Sequence, residues 1–183
     1  MSSTTIVLAA VVLVGLFLWF LYNNLIRAKL RVKEAWSGID VQLKRRSSLI
    51  PNLLETVKGY AKHEKEVFEN VTKARAAMLG AKDAKEAAKA DNQLVGALKT
   101  LFAVAENYPK LRASENFKEL QEELSDTETK IAASRQFYNS VVLDYNTKIK
   151  VFPNVLLARL FGFSEELFFQ ADNESKEDVK VKF

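Results

Sequence analysis

The hydrophobic pattern begins with a run from Ile6 to Leu21 that no polar or charged side chain interrupts, and the first charged side chain is Arg27. A helix crosses the roughly 30 Å hydrocarbon core of a bilayer with about 20 predominantly apolar residues. Thr4 to Leu25 supplies them, with Trp19 and Tyr22 placed for one interface. Met1 to Thr5 lacks the basic flank of a secretory signal, and bulky Trp19, Phe20, Leu21 and Tyr22 stand where a cleavage site needs small residues. The sequence therefore predicts a retained transmembrane anchor over residues 1–26. Arg27, Lys29, Arg31 and Lys33 follow directly and form a basic membrane flank. Excess Lys and Arg beside a span marks the cytoplasmic side, so the N-terminus is expected outside and the rest of the chain in the cytoplasm. The plain reading of this flank is solvated helix surface beside anionic headgroups, with no specific ligand.

Beyond the anchor, apolar residues recur at spacings of three and four and no segment alternates as a strand does, which predicts an all-α fold. The expected architecture is a transmembrane helix continuing into an antiparallel up-and-down four-helix bundle over residues 27–152, with anchor and bundle mechanically coupled. The first bundle helix carries Ala28, Val32, Ala35, Trp36, Ile39 and Leu43. Pro51 is disfavoured in a helix interior, and Ser47 and Ser48 precede it as caps. A turn is accordingly expected near Arg46 to Ser48, with a continuous helix kinked at Pro51 as the rival. A second helix then presents Leu53, Leu54, Val57, Tyr60, Ala61, Phe68, Val71 and Met78 inward and stops at Gly80.

Ala81 to Asn92 has no large apolar side chain and reads as a solvated connection or the exposed start of a third helix. The third stripe is Leu94, Ala97, Leu98, Leu101, Ala105 and Tyr108, ended by Pro109. Ser114 then caps the fourth helix. Its stripe is the cleanest in the chain: Phe117, Leu120, Leu124, Thr127, Ile131, Ser134, Tyr138, Val141, Tyr145, Ile149 and Phe152. A helix from Ser114 to Phe152 spans about 58 Å against about 32 Å for Arg27 to Ser47, so the fourth helix is expected to overhang or bend. Residues 153–172 form an apolar, short helical segment that packs on the bundle, on a neighbouring subunit or on the membrane headgroups. Residues 173–183 are polar and read as a flexible tail.

Charge and chemistry narrow the picture. About 155 residues after the anchor suffice for one domain. The formal net charge of +4 includes the membrane flank and gives no nucleic-acid footprint. Without cysteine the chain has neither a disulfide framework nor a thiolate metal site. Its one histidine, His63, stands among charged residues and cannot supply the paired Glu-x-x-His motifs of di-metal bundles. Gly38, Gly59, Gly80 and Gly96 are scattered singly, so no phosphate-binding loop is present. No catalytic, cofactor or metal residue is assigned and no cofactor is expected. Two charged runs remain, basic Lys44, Arg45 and Arg46 and acidic Glu122, Glu123, Asp126 and Glu128, each more ordinary as a solvated face than as a site. Asn139 and Asn146 lie beside the fourth stripe, to fix register or to face solvent.

Several stretches are more specific than their physics requires. They are Ala-Trp-Ser-Gly-Ile-Asp-Val-Gln-Leu-Lys-Arg-Arg at 35–46, Leu-Ile-Pro-Asn-Leu at 49–53, Val-Lys-Gly-Tyr-Ala-Lys-His-Glu at 57–64 and Glu-Asn-Tyr-Pro-Lys-Leu-Arg-Ala at 106–113. Phe117 to Asn139, with Tyr145, Asn146, Phe152 and Pro153, completes the pattern. Together they closely resemble the LemA family of bacterial membrane proteins over nearly the whole chain. The resemblance implies a cytoplasmic helical bundle on a single-pass anchor in the bacterial inner membrane. It implies no enzymatic reaction, and one class of members is associated with magnetosome membranes.

The function expected is a non-catalytic, membrane-tethered, homo-oligomeric scaffold that organises membranes or membrane-protein assemblies. The alternative is an adaptor for another membrane complex such as a protease. The partners expected are the bilayer, further copies of the chain and a membrane protein. The candidate interaction surface is Lys44, Arg45, Arg46, Leu156, Leu160, Phe161, Phe163, Phe168 and Phe169.

Overall fold

The computed structural model describes residues 2–169. Among the described residues there are six helices and no strand: α1 Ser3–Lys58, α2 Lys65–Gly80, α3 Ala84–Ala105, α4 Pro109–Arg112, α5 Glu115–Lys150 and α6 Asn154–Leu160. The expected tail at 173–183, and the last residues of the apolar segment, lie outside the described residues. The helices divide into two compact units. One takes residues 2–36 and 137–167, the other residues 37–136 with 168–169, so α1 and α5 each contribute to both.

In the first unit, α1 changes surroundings within one turn. Its large apolar residues from Ile6 to Phe20 are exposed, whereas Leu21, Leu25, Ala28, Val32 and Ala35 are buried. The exposed stretch is long and apolar enough to cross a membrane. The buried stripe follows the three-and-four spacing of one helix face, and α5 answers with Tyr138, Val142, Tyr145 and Ile149. Trp36 of α1 meets Tyr138 of α5 edge to face, their ring centroids 5.9 Å apart.

After α5 the chain turns through Val151 to Pro153 into α6, and Gly162 ends α6 with φ +71. The Phe163 amide donates to the Ala158 carbonyl at 2.9 Å and Phe161 N–H to the Leu157 carbonyl at 2.9 Å. The first of these is the long bond of a Schellman cap, which needs a left-handed residue and so a glycine. The cap sends the following residues back along α5. Tyr145 Oη donates to the Ser164 carbonyl at 3.0 Å and Tyr138 Oη to the Leu167 carbonyl at 2.9 Å. Asn146 makes a two-point pair with Glu166, donating through Nδ2 to its carbonyl and accepting its N–H at Oδ1, both at 2.9 Å. Asn146 therefore holds the return segment and does not face solvent.

The second unit joins the C-terminal part of α1, α2, α3 and the N-terminal part of α5. Its core includes Ile39, Leu43, Ile50, Leu53, Val57, Phe68, Val71, Leu94, Leu98, Leu101, Phe117, Leu124 and Ile131. The stretch expected to be a solvated connection or the exposed start of a third helix does begin that helix, with Lys82, Asp83, Lys85, Glu86 and Lys89 exposed, but its other face is buried. Asp83 caps α3 by accepting the Glu86 N–H at 2.8 Å, while Glu86 accepts the Lys82 N–H at 2.9 Å. Ala84, Ala87, Ala88 and Ala90 are buried. Alanine is the best helix former and leaves room for close approach between helices, so the stretch packs without large side chains. α2 and α3 are joined by only three residues and lie against each other.

The turn expected near Arg46 to Ser48 does not form. α1 runs through Pro51 to Lys58, and the chain reverses over Gly59 to Glu64. A proline in a helix orphans the carbonyl four residues earlier, here Ser47. Arg75 on α2 meets that carbonyl, its Nε–H donating at 2.9 Å. The bundle part of α1 thus extends from Arg27 to Lys58, about 48 Å at 1.5 Å per residue, against about 54 Å for the whole of α5. The length mismatch behind the expected overhang is largely removed. Two residues of the expected inward stripes point outward: Tyr60 lies in the reversal, and Phe152 follows the end of α5.

Arg75→Met should lower stability by about 1.5–3 kcal/mol, the range for a hydrogen bond to a charged donor. In a Pro51→Ala background the new amide can serve the Ser47 carbonyl, and the cost of losing Arg75 should shrink. Urea denaturation of the four proteins in detergent, followed by helical circular dichroism, measures this coupling. Strictly additive costs would sever the link between Pro51 and Arg75.

Candidate functional site

The three cations of the basic run stand on consecutive positions of α1 and have three different fates. Lys44 is exposed and pairs with Asp40 one turn back at 2.7 Å. Arg45 spans to α5, 2.6 Å from Glu123 and 3.0 Å from Asp126. Lys130, followed by Arg45, holds the Asp126 carboxyl below its ordinary range. Arg46 is no part of the surface. It is 1% exposed, a correction to its reading as solvated face and to its place among candidate surface residues.

Arg46 turns inward because its position continues the buried stripe. Ile39, Leu43, Arg46, Ile50, Leu53 and Val57 are separated alternately by four and three residues along α1. The turn expected at 46–48 would have broken this phase, which is why the burial was not read. Its guanidinium donates to Asp91 on α3 at 2.6 Å and to Glu128 on α5. Asp91 is 2% exposed, and Arg135 stands 3.8 Å from its second oxygen. Burial pushes the Asp91 carboxyl up, and the Arg46 and Arg135 guanidiniums oppose that shift. Arg135 also lies over the Phe169 ring, 4.6 Å from its centroid. Thr127 is buried beside this layer and donates to the Leu124 carbonyl at 2.8 Å.

Asp91 was missed by sequence reasoning, although a signal existed. Ala84, Ala87, Asp91, Leu94, Leu98, Leu101 and Ala105 form the inward heptad of α3, and Asp91 occupies one of its steps. The acidic run on α5 has the complementary role. Glu123, Asp126 and Glu128 are partners of the basic run, so the two charged stretches largely neutralise one another inside one unit.

The apolar candidates also separate. In the first unit Leu156, Leu160 and Phe161 are exposed, while Phe163 folds onto the chain. Phe161 and Phe163 both meet Tyr22, with ring centroids 4.9 Å and 6.1 Å away. Lys29 of the membrane flank lies 5.9 Å from the Phe163 ring, and Arg27, Arg31 and Lys33 are exposed. In the second unit Phe168 is partly exposed and Phe169 is buried.

A groove of about 550 Å³ between α2 and α3 is lined by Val67, Asn70, Lys73, Ala74, Ala77, Gln93, Gly96, Ala97 and Thr100. It offers one cation and amide and hydroxyl groups, with no carboxylate or imidazole beside them for acid–base work. His63 is exposed in the Gly59 to Glu64 reversal. Among the described residues no group of three or more His, Cys, Asp or Glu side chains is placed to hold a metal ion.

Asp91→Ala should cost about 3–5 kcal/mol, because it leaves a buried guanidinium with one partner fewer. The paired replacement Arg46→Met with Asp91→Leu should recover most of that loss, since removing both charges also removes their desolvation. Lys44→Ala should leave the urea midpoint unchanged. A double variant no more stable than Asp91→Ala would show that the ion pair specifies the fold beyond its own energetics.

The LemA family model matches residues 35–183. Protein LemA of Metamycoplasma hominis is 27% identical, the match covering 94% of this chain and 81% of that protein. Magnetosome protein MamQ 2 of Paramagnetospirillum magneticum is 25% identical, and Magnetosome protein MamQ of Magnetospirillum gryphiswaldense 24%, each match covering 81% of this chain. The chain spans 64% of the length of these two magnetosome proteins. With its exposed apolar helix, its helical units and a family match over most of its length, the chain belongs to the LemA family.

Proposed function

We propose that this protein is a membrane-tethered, self-associating scaffold of the LemA type, non-catalytic, with its helical units in the cytoplasm of a bacterium and its anchor in the inner membrane. The observation that carries the reading is the passage of α1 from an exposed apolar span into buried positions without a linker. Leu21, Leu25 and Ala28 begin the buried stripe at the point where the exposed run ends. A protein built this way holds its folded part against the bilayer and does not trail it on a tether. The basic flank at Arg27, Lys29, Arg31 and Lys33 favours the cytoplasmic orientation. Two of the relatives described above are named as magnetosome proteins, which accords with work at a membrane.

Self-association has support on the outer side of α1. Leu30 in the first unit and Val41 in the second are each large, apolar and exposed. An adaptor acting through Lys44, Arg45 and Arg46 has less support. Arg46 is buried, and Lys44 and Arg45 already have carboxylate partners in the chain.

Extraction of the full-length protein from native membrane into lipid nanodiscs, with native mass spectrometry, tests the reading. A defined multiple of this chain alone is expected, and Leu30→Glu with Val41→Glu should shift it toward monomer. A wild-type monomer at all concentrations would end the scaffold proposal. A stoichiometric foreign protein would replace it with the adaptor.

A further inference from the structure

We propose that α6 is a second membrane contact, resting its exposed apolar side chains in the interfacial region of the leaflet from which the anchor emerges. This rests on the anchored reading of α1. Leu156 and Leu160 lie one turn apart on α6 and are 61% and 75% exposed, with exposed Phe161 beyond them. A water-facing location would leave all three unburied.

Their position is fixed by Tyr22. The lipid-exposed run of α1 ends at Phe20, burial begins at Leu21, and Tyr22 stands at that boundary. Phe161 packs against Tyr22 with ring centroids 4.9 Å apart, which places the end of α6 within about one helical turn of the hydrocarbon edge. The Gly162 cap holds it there, because Phe163 beyond the cap also meets Tyr22, with ring centroids 6.1 Å apart. The apolar patch is thus continuous with the surface that the span presents to lipid.

Charge points to the same occupant. From Tyr145 to Phe163 the chain has no Asp or Glu; its charged residues are Lys148, Lys150 and Arg159, of which Lys150 pairs with Glu165 at 2.8 Å. The flank cations on α1 add to them, Lys29 reaching the Phe163 ring. Large apolar side chains flanked by cations suit the boundary between acyl chains and anionic headgroups. Two contacts with one leaflet, the span and α6, set the rotation of α1 about its own axis, which a lone span leaves free.

The absence of cysteine makes the test direct. Single cysteines at Phe17, Leu156, Leu160 and Glu119, each in the full chain, are labelled with an environment-sensitive NBD dye. The proteins are reconstituted in phosphatidylethanolamine and phosphatidylglycerol vesicles. Quenching by lipids with a shallow or a deep doxyl group is compared with quenching by aqueous iodide. Labels at 156 and 160 should shift to the blue and lose emission to shallow doxyl lipid, the label at 17 to deep doxyl lipid, and the label at 119 to iodide alone.

If the labels at 156 and 160 answer only to iodide while that at 17 is quenched from within the bilayer, α6 is off the membrane and the anchor stands. Shielding of both α6 labels from lipid and iodide alike would mean a protein contact and would overturn the proposal in favour of a second copy. An iodide-quenched label at 17 would overturn the anchor and the α6 contact together.

Discussion

Pro51 removes an amide from the interior of α1, and Arg75 replaces it. Without a donor, the Ser47 carbonyl would be buried in a four-helix core with no partner, a defect worth a kilocalorie or more per mole. The Arg75 Nε–H at 2.9 Å lets one helix run from Ser3 to Lys58. The phase of the residues on both sides of Pro51 follows from that continuity. Arg46 becomes an inward residue, Ile50 to Val57 remain on the same stripe, and the reversal moves to Gly59 through Glu64. The helix order of the second unit therefore depends on a contact between residues 28 positions apart.

That dependence explains what could be read from the sequence and what could not. Rules that act within one helix were reliable. The apolar span, the stripe from Ala28 to Leu43, the stop at Gly80 and the stripe from Phe117 to Ile149 all follow from spacing and end signals, and the structure has them. The all-helical fold followed from the same spacing. Rules that need a partner elsewhere failed. Proline is a helix breaker only when nothing else meets the freed carbonyl, and the sequence gives no hint that Arg75 does so. The Ala-rich start of α3 looked solvated because alanine has no large side chain to advertise burial, yet one face of it, with Ala84, Ala87, Ala88 and Ala90, is buried. A charge run is ordinarily solvated, and Arg46 is buried only because Asp91 and Glu128 arrive from two other helices. The candidate surface suffered accordingly, since Arg46 and Phe169 are buried and Lys44 and Arg45 have carboxylate partners within the chain.

The buried charges place a polar layer in a core that is otherwise largely apolar. Such a layer contributes little net stability, since desolvation offsets most of the attraction. It does penalise misalignment. Sliding α3 or α5 by one turn would put an aliphatic side chain against the Arg46 guanidinium, a cost that an all-apolar stripe would not impose. The membrane boundary on α1 is also sharply set, by the change from exposed Phe20 to buried Leu21. Position along the helix is defined in both units by a change in what surrounds the side chains.

The return segment after Gly162 is held mainly through its backbone. Tyr138, Tyr145 and Asn146 take the carbonyls of Leu167, Ser164 and Glu166 and one amide, and none of these bonds uses a side chain of the segment. Side chains at these three positions can therefore be exchanged without loosening what fastens them, much as a frame holds interchangeable panels. The chemistry that this strip displays is thus uncoupled from the bonds that hold it in place.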